Sequence, residues 1–169
     1  MRLSAESHRR VEEFFREFRG EPGLRLPPVK VYSCVLSRLL LDSIGMGAIT
    51  FGRRVFVSPR MVVKDGRGRR AVHGWLLVHE AAHVLQYEEA GFFKFLLKYL
   101  RDYWRELPAG EKWKLSGAAR IAAYAAIPAE REALEAEHAY RSFKKMGAAP
   151  ARAHYAADAS EAGSPLKEP

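Results

Sequence analysis

The run His79-Glu80-Ala81-Ala82-His83 constrains the fold of this chain more than any other feature. It lies within GWLLVHEAAHVLQYEEAG, Gly74 to Gly91, beside Leu76, Leu77, Val78, Val84 and Leu85. The stretch reads as a helix that Gly91 ends by supplying the left-handed cap conformation. Residues four apart on a helix share a face, so the two imidazoles can converge on one zinc ion at about 2.0–2.1 Å each. Glu80 lies too far round the helix to be an easy ligand, but it is well placed to take a proton from a metal-bound water. Alanine at 81 and 82 lets another element approach closely. With this histidine and glutamate content such a run arises by chance on the order of one or two times in a hundred. Metal binding is therefore preferred over two packed histidines.

A hydrolytic zinc site takes three protein ligands and leaves a fourth position to water, so the third ligand must come from another element. His73 points off the metal face, and His138 and His154 lie farther along the chain. Glu88 and Glu89 continue the same helix too far to close the site. Glu130 is the first choice, because it follows Pro128 at a helix start from which a carboxylate can project toward the metal helix. Glu132 should project roughly opposite to Glu130, and Glu135 is the next alternative.

The remaining chain supplies elements to surround that helix. Ser4 can cap a first helix whose Val11, Phe14, Phe15 and Phe18 recur at helical spacing, and Gly20 stops it. VKVYSCVL reads as a strand, and GAITFGRRVFVSP as two short β runs around Gly52 and Arg53, together a small sheet. KDGRGRR, Lys64 to Arg70, reads as a solvated basic turn without the interleaved aromatics that nucleic-acid binding uses. In GFFKFLLKYLRDYWREL, residues 91 to 107, Lys94, Lys98, Arg101 and Arg105 form one basic stripe. The preferred reading is a core helix with a solvated edge; the functional alternative is a surface that lies on acidic lipid or covers a substrate groove.

Pro108 and Gly110 break that helix, LSGAARIAAYAAI starts another, and PAEREALEAEHAYRSFKKM restarts at Pro128 with Glu130 and Glu132 near the positive end of the helix dipole. From Gly147 the chain has few large apolar residues to bury. The expected organisation is one domain, 1–146, with a flexible tail, 147–169. A lone cysteine, Cys34, and the lack of an apolar leader or a run of about twenty apolar residues suit a cytoplasmic protein. The formal charge of +8 suits an acidic partner but decides nothing about fold.

HEAAHVLQY, followed downstream by IPAEREALE, resembles the zincin metallopeptidases, and within them the gluzincin branch, whose third ligand is a glutamate on a later helix. Gln86 after the motif, with AITFGRRVFVSP before it, is also similar to short bacterial zincin-like domains of unassigned role, whose motif reads like HELAHVxQ after a strand containing AxTxG. The resemblance covers roughly Gly47 to Tyr140. It implies an α+β fold, in which a small antiparallel sheet packs on the metal helix and a mostly helical C-terminal half follows. It further implies zinc at His79, His83 and Glu130, Glu80 as general base, and a peptide or protein substrate paired as a strand on a sheet edge. Gluzincins often place an acidic residue four positions after the ligand glutamate to orient the first histidine. Leu134 stands there instead, which either argues against Glu130 or hands that role to another group.

No motif fixes an oxyanion stabiliser, and Tyr124, just before the Pro128 helix, is the candidate donor. A zinc-dependent peptidase is the expected function. The rivals are an inert zincin-like binding or targeting module, and a basic membrane-surface or nucleic-acid-binding protein with incidental histidines, nucleic acid being the disfavoured partner.

Overall fold

The computed structural model describes residues 3–44, 46–64, 70–107 and 117–143. Helix α1 (Ala5–Arg19) starts where the Ser4 hydroxyl accepts the Ser7 N–H and stops at Gly20, which takes a φ of 66°. Val11, Phe14 and Phe15 are buried along its inner face, and Phe18 packs at the margin of the same core.

The stretch expected to be one strand, VKVYSCVL, is divided. Strand β1 covers only Lys30–Tyr32, and helix α2 (Val35–Ile44) follows. Ser37 explains the change: its hydroxyl accepts the Cys34 N–H at 2.8 Å from the third helical position, the reach-back half of a capping box. It also donates to the Val57 carbonyl at 3.2 Å, which fastens α2 to the sheet.

Strands β2 (Ala48–Phe51) and β3 (Arg54–Val57) form a hairpin across Gly52 and Arg53. Gly52 has the positive φ, 57°, that two-residue hairpin turns favour. On the other side of β3 lies β1, in parallel, with Val31 opposite Val55. The sheet is therefore mixed, in the order β1-β3-β2, and not the antiparallel sheet expected. The α2 crossover and β2 lie between β1 and β3 in the chain, which lets those two run the same way. Ala48, Thr50, Val55 and Val57 point to one buried face.

A single 3-10 turn, Pro59–Met61, leads to a second hairpin of β4 (Val62–Lys64) and β5 (Arg70–Val72). Positions 65–69, the tip of the basic turn, lie outside the described residues.

Helix α3 (Gly74–Ala90) is buried without interruption from Val78 to Tyr87. Such a helix needs cover on every side. Strand β2, α1 and α4 (Phe92–Glu106) pack against it, and α6 (residues 128–143) supplies Ala133 and Ala136 to the same core. At Gly74 a Cβ atom would stand 2.9 Å from the Tyr140 ring, so the missing side chain lets α6 approach the first turn of α3. Helix α5 (Gly117–Ala126) meets α6 at the fully buried Ile127, whose carbonyl accepts the Arg131 N–H at 3.0 Å with Pro128 in the first turn.

The molecule is thus α+β with a helical C-terminal half among the described residues. Residues 147–169, expected to form a tail, lie outside them. No helix among the described residues is long and apolar enough to cross a membrane.

Candidate metal centre

The fold brings His79, His83 and Glu130 together. Each is buried, and one ligand atom from each lies within 4.8 Å of the others. Nε2 of His79 is 3.3 Å from Oε2 of Glu130, and Nε2 of His83 is 3.2 Å from Oε1. Two donors bound to one tetrahedral zinc at 2.0–2.1 Å would stand about 3.3 Å apart, so these separations fit the ion. Oε2 of Glu130 is buried and has no hydrogen-bond partner; its 3.3 Å contact with His79 lacks hydrogen-bonding geometry. A buried carboxylate oxygen is costly to leave in that state, and a cation among the three donors would satisfy it.

The far nitrogens of both rings are also addressed. Nδ1 of His83 lies 2.8 Å from Oε1 of Gln86. The Gln86 amide nitrogen donates to the Ala129 carbonyl at 3.1 Å and to Glu132 at 2.8 Å, which fixes its oxygen as the acceptor for the His83 ring. Nδ1 of His79 faces Oε2 of Glu137 at 3.5 Å, and Arg141 donates to Glu137 at 2.6 Å. A proton held on Nδ1 leaves Nε2 unprotonated toward the metal position. Glu137, seven residues after Glu130, thus occupies the orienting place for which Leu134 is unsuited.

Strand β2 positions the candidate base. Thr50 donates to Oε2 of Glu80 at 2.6 Å, and Glu80 is buried. Burial raises the Glu80 carboxyl above its ordinary range, against the opposing charges of His83 and His79 and the Thr50 hydrogen bond.

Helices α4 and α5 close the other side with two phenols. Tyr99 donates to Oε1 of Glu130 at 2.5 Å, and Tyr124 lies near enough to both groups to feel the Glu130 charge. Burial and the neighbouring Glu130 charge raise both phenols far above their usual range, so each stays a protonated donor. Burial would raise Glu130 too, but the facing imidazoles of His79 and His83, with the hydrogen bond from Tyr99, outweigh it and hold the carboxyl well below the usual range. For His83, burial alone would lower the value; Glu130, Glu80 and Gln86 outweigh that and push it up to about 9. In the metal-free protein, then, His83 and Glu130 form an ion pair, whose imidazole proton a cation held there would displace.

The alternative ligands stand elsewhere. His73 is exposed at the start of α3 and stacks on Trp75, His138 and Glu135 are exposed on α6, and His154 lies outside the described residues. Glu88 pairs with Arg53 at 2.7 Å and Glu89 with Arg19. Glu132, expected to project away from Glu130, nevertheless joins the surroundings of the site, because Gln86 reaches across from α3 to the flank of α6. Sequence reasoning missed Tyr99 and Glu137 and gave Thr50 and Gln86 no role. The seven-residue spacing from Glu130 to Glu137 was available as a helical signal; Tyr99 had none.

Comparisons of the chain with protein-family models, with curated proteins and with solved structures find no match.

Proposed function

We propose that this chain is a zinc-dependent peptidase of the zincin type. The observation that carries this reading is the convergence of His79, His83 and Glu130 at ligand spacing, with Glu80 beside them on Thr50. Two imidazoles and a carboxylate are a donor set suited to zinc, with His83 and Glu130 held by further hydrogen bonds and His79 facing Glu137. Bound there, zinc would supply Lewis acidity toward a carbonyl oxygen and a water acidic near neutral pH.

The chain's own residues account for the rest. Glu80, made more basic by burial, takes a proton from the attacking water and returns it to the leaving amine. Tyr99 holds Glu130, and Tyr124 is the hydrogen-bond donor for the developing oxyanion. Among the described residues strand β2 pairs with β3 on one edge only, so its other edge offers main-chain groups to an extended peptide near Glu80.

The test joins metal content by elemental mass spectrometry to cleavage of a mixed peptide library. One zinc per chain, lost in His83→Ala and in Glu130→Ala, with cleavage that Glu80→Gln abolishes, is the expected result. Stoichiometric zinc without cleavage of any peptide would move the chain to the class of inert binding scaffolds. No zinc after reconstitution would remove the reading altogether.

A further inference from the structure

Helix α4 has three faces of different character. At 3.6 residues per turn, Phe95, Tyr99 and Tyr103 fall together and pack toward the second core around Tyr87 and Ile127. Phe93, Leu97, Leu100 and Trp104 fall within about 60° of arc on another face, and they are 78, 68, 53 and 48 % exposed. Lys94, Lys98, Arg101 and Arg105 occupy a similar arc beside them. The expected core helix with a solvated edge is therefore only partly what forms: one apolar face is outside.

The two carboxylates of the helix do not neutralise the basic row. Asp102 is covered by Lys98 at 2.8 Å, Arg105 at 3.5 Å and Arg101 at 3.6 Å, and Glu106 accepts from Arg105 at 3.0 Å. Four cations against two carboxylates leave the row positive, and Lys94, Lys98, Arg101 and Arg105 lie at the water-exposed border of the apolar stripe. An apolar stripe on a protein surface marks a contact. Phenylalanine, leucine and tryptophan bordered by lysine and arginine fit the headgroup boundary of a bilayer, where rings and aliphatic chains enter and the long cationic side chains reach lipid phosphates.

We infer that α4 seats this protein on an anionic lipid surface, with Phe93, Leu97, Leu100 and Trp104 entering the boundary and Lys94, Lys98, Arg101 and Arg105 meeting the phosphates. The inference does not rest on the peptidase reading, since none of these eight residues belongs to the metal centre.

The experiment is co-sedimentation of the full chain with vesicles of phosphatidylcholine alone and of phosphatidylcholine mixed with phosphatidylglycerol. Binding is expected only to the anionic vesicles and should weaken in high salt. The triple variant Phe93→Ser, Leu97→Ser, Leu100→Ser should partition at least about tenfold more weakly. The pair Lys94→Gln, Arg101→Gln should lose roughly thirtyfold. Both changes lie on the surface, and circular dichroism with zinc uptake reports whether each variant keeps its fold. Should the triple variant misfold, the glutamine pair decides alone. Failure of the wild type to bind anionic vesicles would overturn the inference, as would undiminished binding by the well-folded variants. So would a wild-type dimer, broken by the triple variant, in a protein that ignores vesicles.

Discussion

Helices α3 and α4 are consecutive, joined at Gly91, and they depart from the ordinary distribution of side chains in opposite directions. The first buries His79, Glu80, His83 and Gln86; the second exposes Phe93, Leu97 and Leu100. The polar groups of α3 are tolerated inside because other elements answer them: Thr50 from the sheet, Tyr99 from α4, and Glu130 and Glu137 from α6. Burying so many ionisable groups costs stability, so their assembly points to chemistry. Phe93, Leu97 and Leu100 of α4 are instead turned to water, and such a stripe points to contact. One helix thus carries a site within the molecule and the other a surface directed outside it.

The largest effect should come from removing the base while keeping the metal. Glu80→Gln leaves the three ligands in place, so zinc content should be unchanged while peptide cleavage falls at least about a thousandfold. Cleavage that survives in the zinc-loaded variant would show that the buried polar row of α3 serves some other end.

The next effect is in pH. The folded-state pKa of His83 is raised to about 9 from 6.5. Its contribution to stability is therefore complete below 6.5 and lost as pH rises through 9. Glu80, also raised, acts in the same direction. Glu130 is depressed, so its contribution is present above the ordinary carboxylate value and lost only in strong acid. Metal-free protein should accordingly lose up to about 3 kcal/mol between pH 6.5 and 9. Zinc-loaded protein should not show this decline, because the ion replaces the proton on His83. Urea midpoints across that range, with and without chelator, check it; a flat metal-free profile would count against the His83–Glu130 ion pair.

Glu137→Gln tests the orienting contact to His79. Zinc affinity should fall about tenfold with the fold intact, the lower end of what such partners contribute. An Arg141→Ala change, which removes the guanidinium that pairs with Glu137 and lies over Trp75 but leaves the Glu137 carboxylate in place, should lower it less. If Glu137→Gln leaves competition titrations with a zinc chelator unmoved, Glu137 is merely a neighbour of His79.

How much of this could be read from the chain depended on the range of the interaction. Ser4, Gly20, Gly91 and Pro128 act within a turn of themselves, and the ends of α1, α3 and α6 were accordingly legible. Gly52 and Arg53 likewise placed the β2–β3 turn. Ser37 was also local, yet the apolar alternation of VKVYSCVL masked its capping role, and the first two residues of α2, Val35 and Leu36, were read as strand. The direction of β1 depends on a pairing with β3 across more than twenty residues, and no local pattern encodes it. In the site, the His79–His83 face is intrahelical and visible in the sequence; Glu130 was chosen from its place at a helix start. Tyr99 reaches Glu130 only because α4 folds back over α3 after Gly91, so its role depended on packing.

The smallest predicted effect separates the two helices most directly. Leu97 is 68 % exposed on α4, whereas Val78 on α3 is fully buried. Leu97→Ala removes more atoms than Val78→Ala, yet in solution those atoms are already largely in water. Its stability change should stay within about 0.5 kcal/mol, while Val78→Ala should cost on the order of 2 kcal/mol, since two methyl groups leave a cavity. Thermal melts of both variants without lipid provide the measurement. A large loss for Leu97→Ala would mean that the stripe is already covered within the molecule, and the contrast between an inward α3 and an outward α4 would fail at its second half.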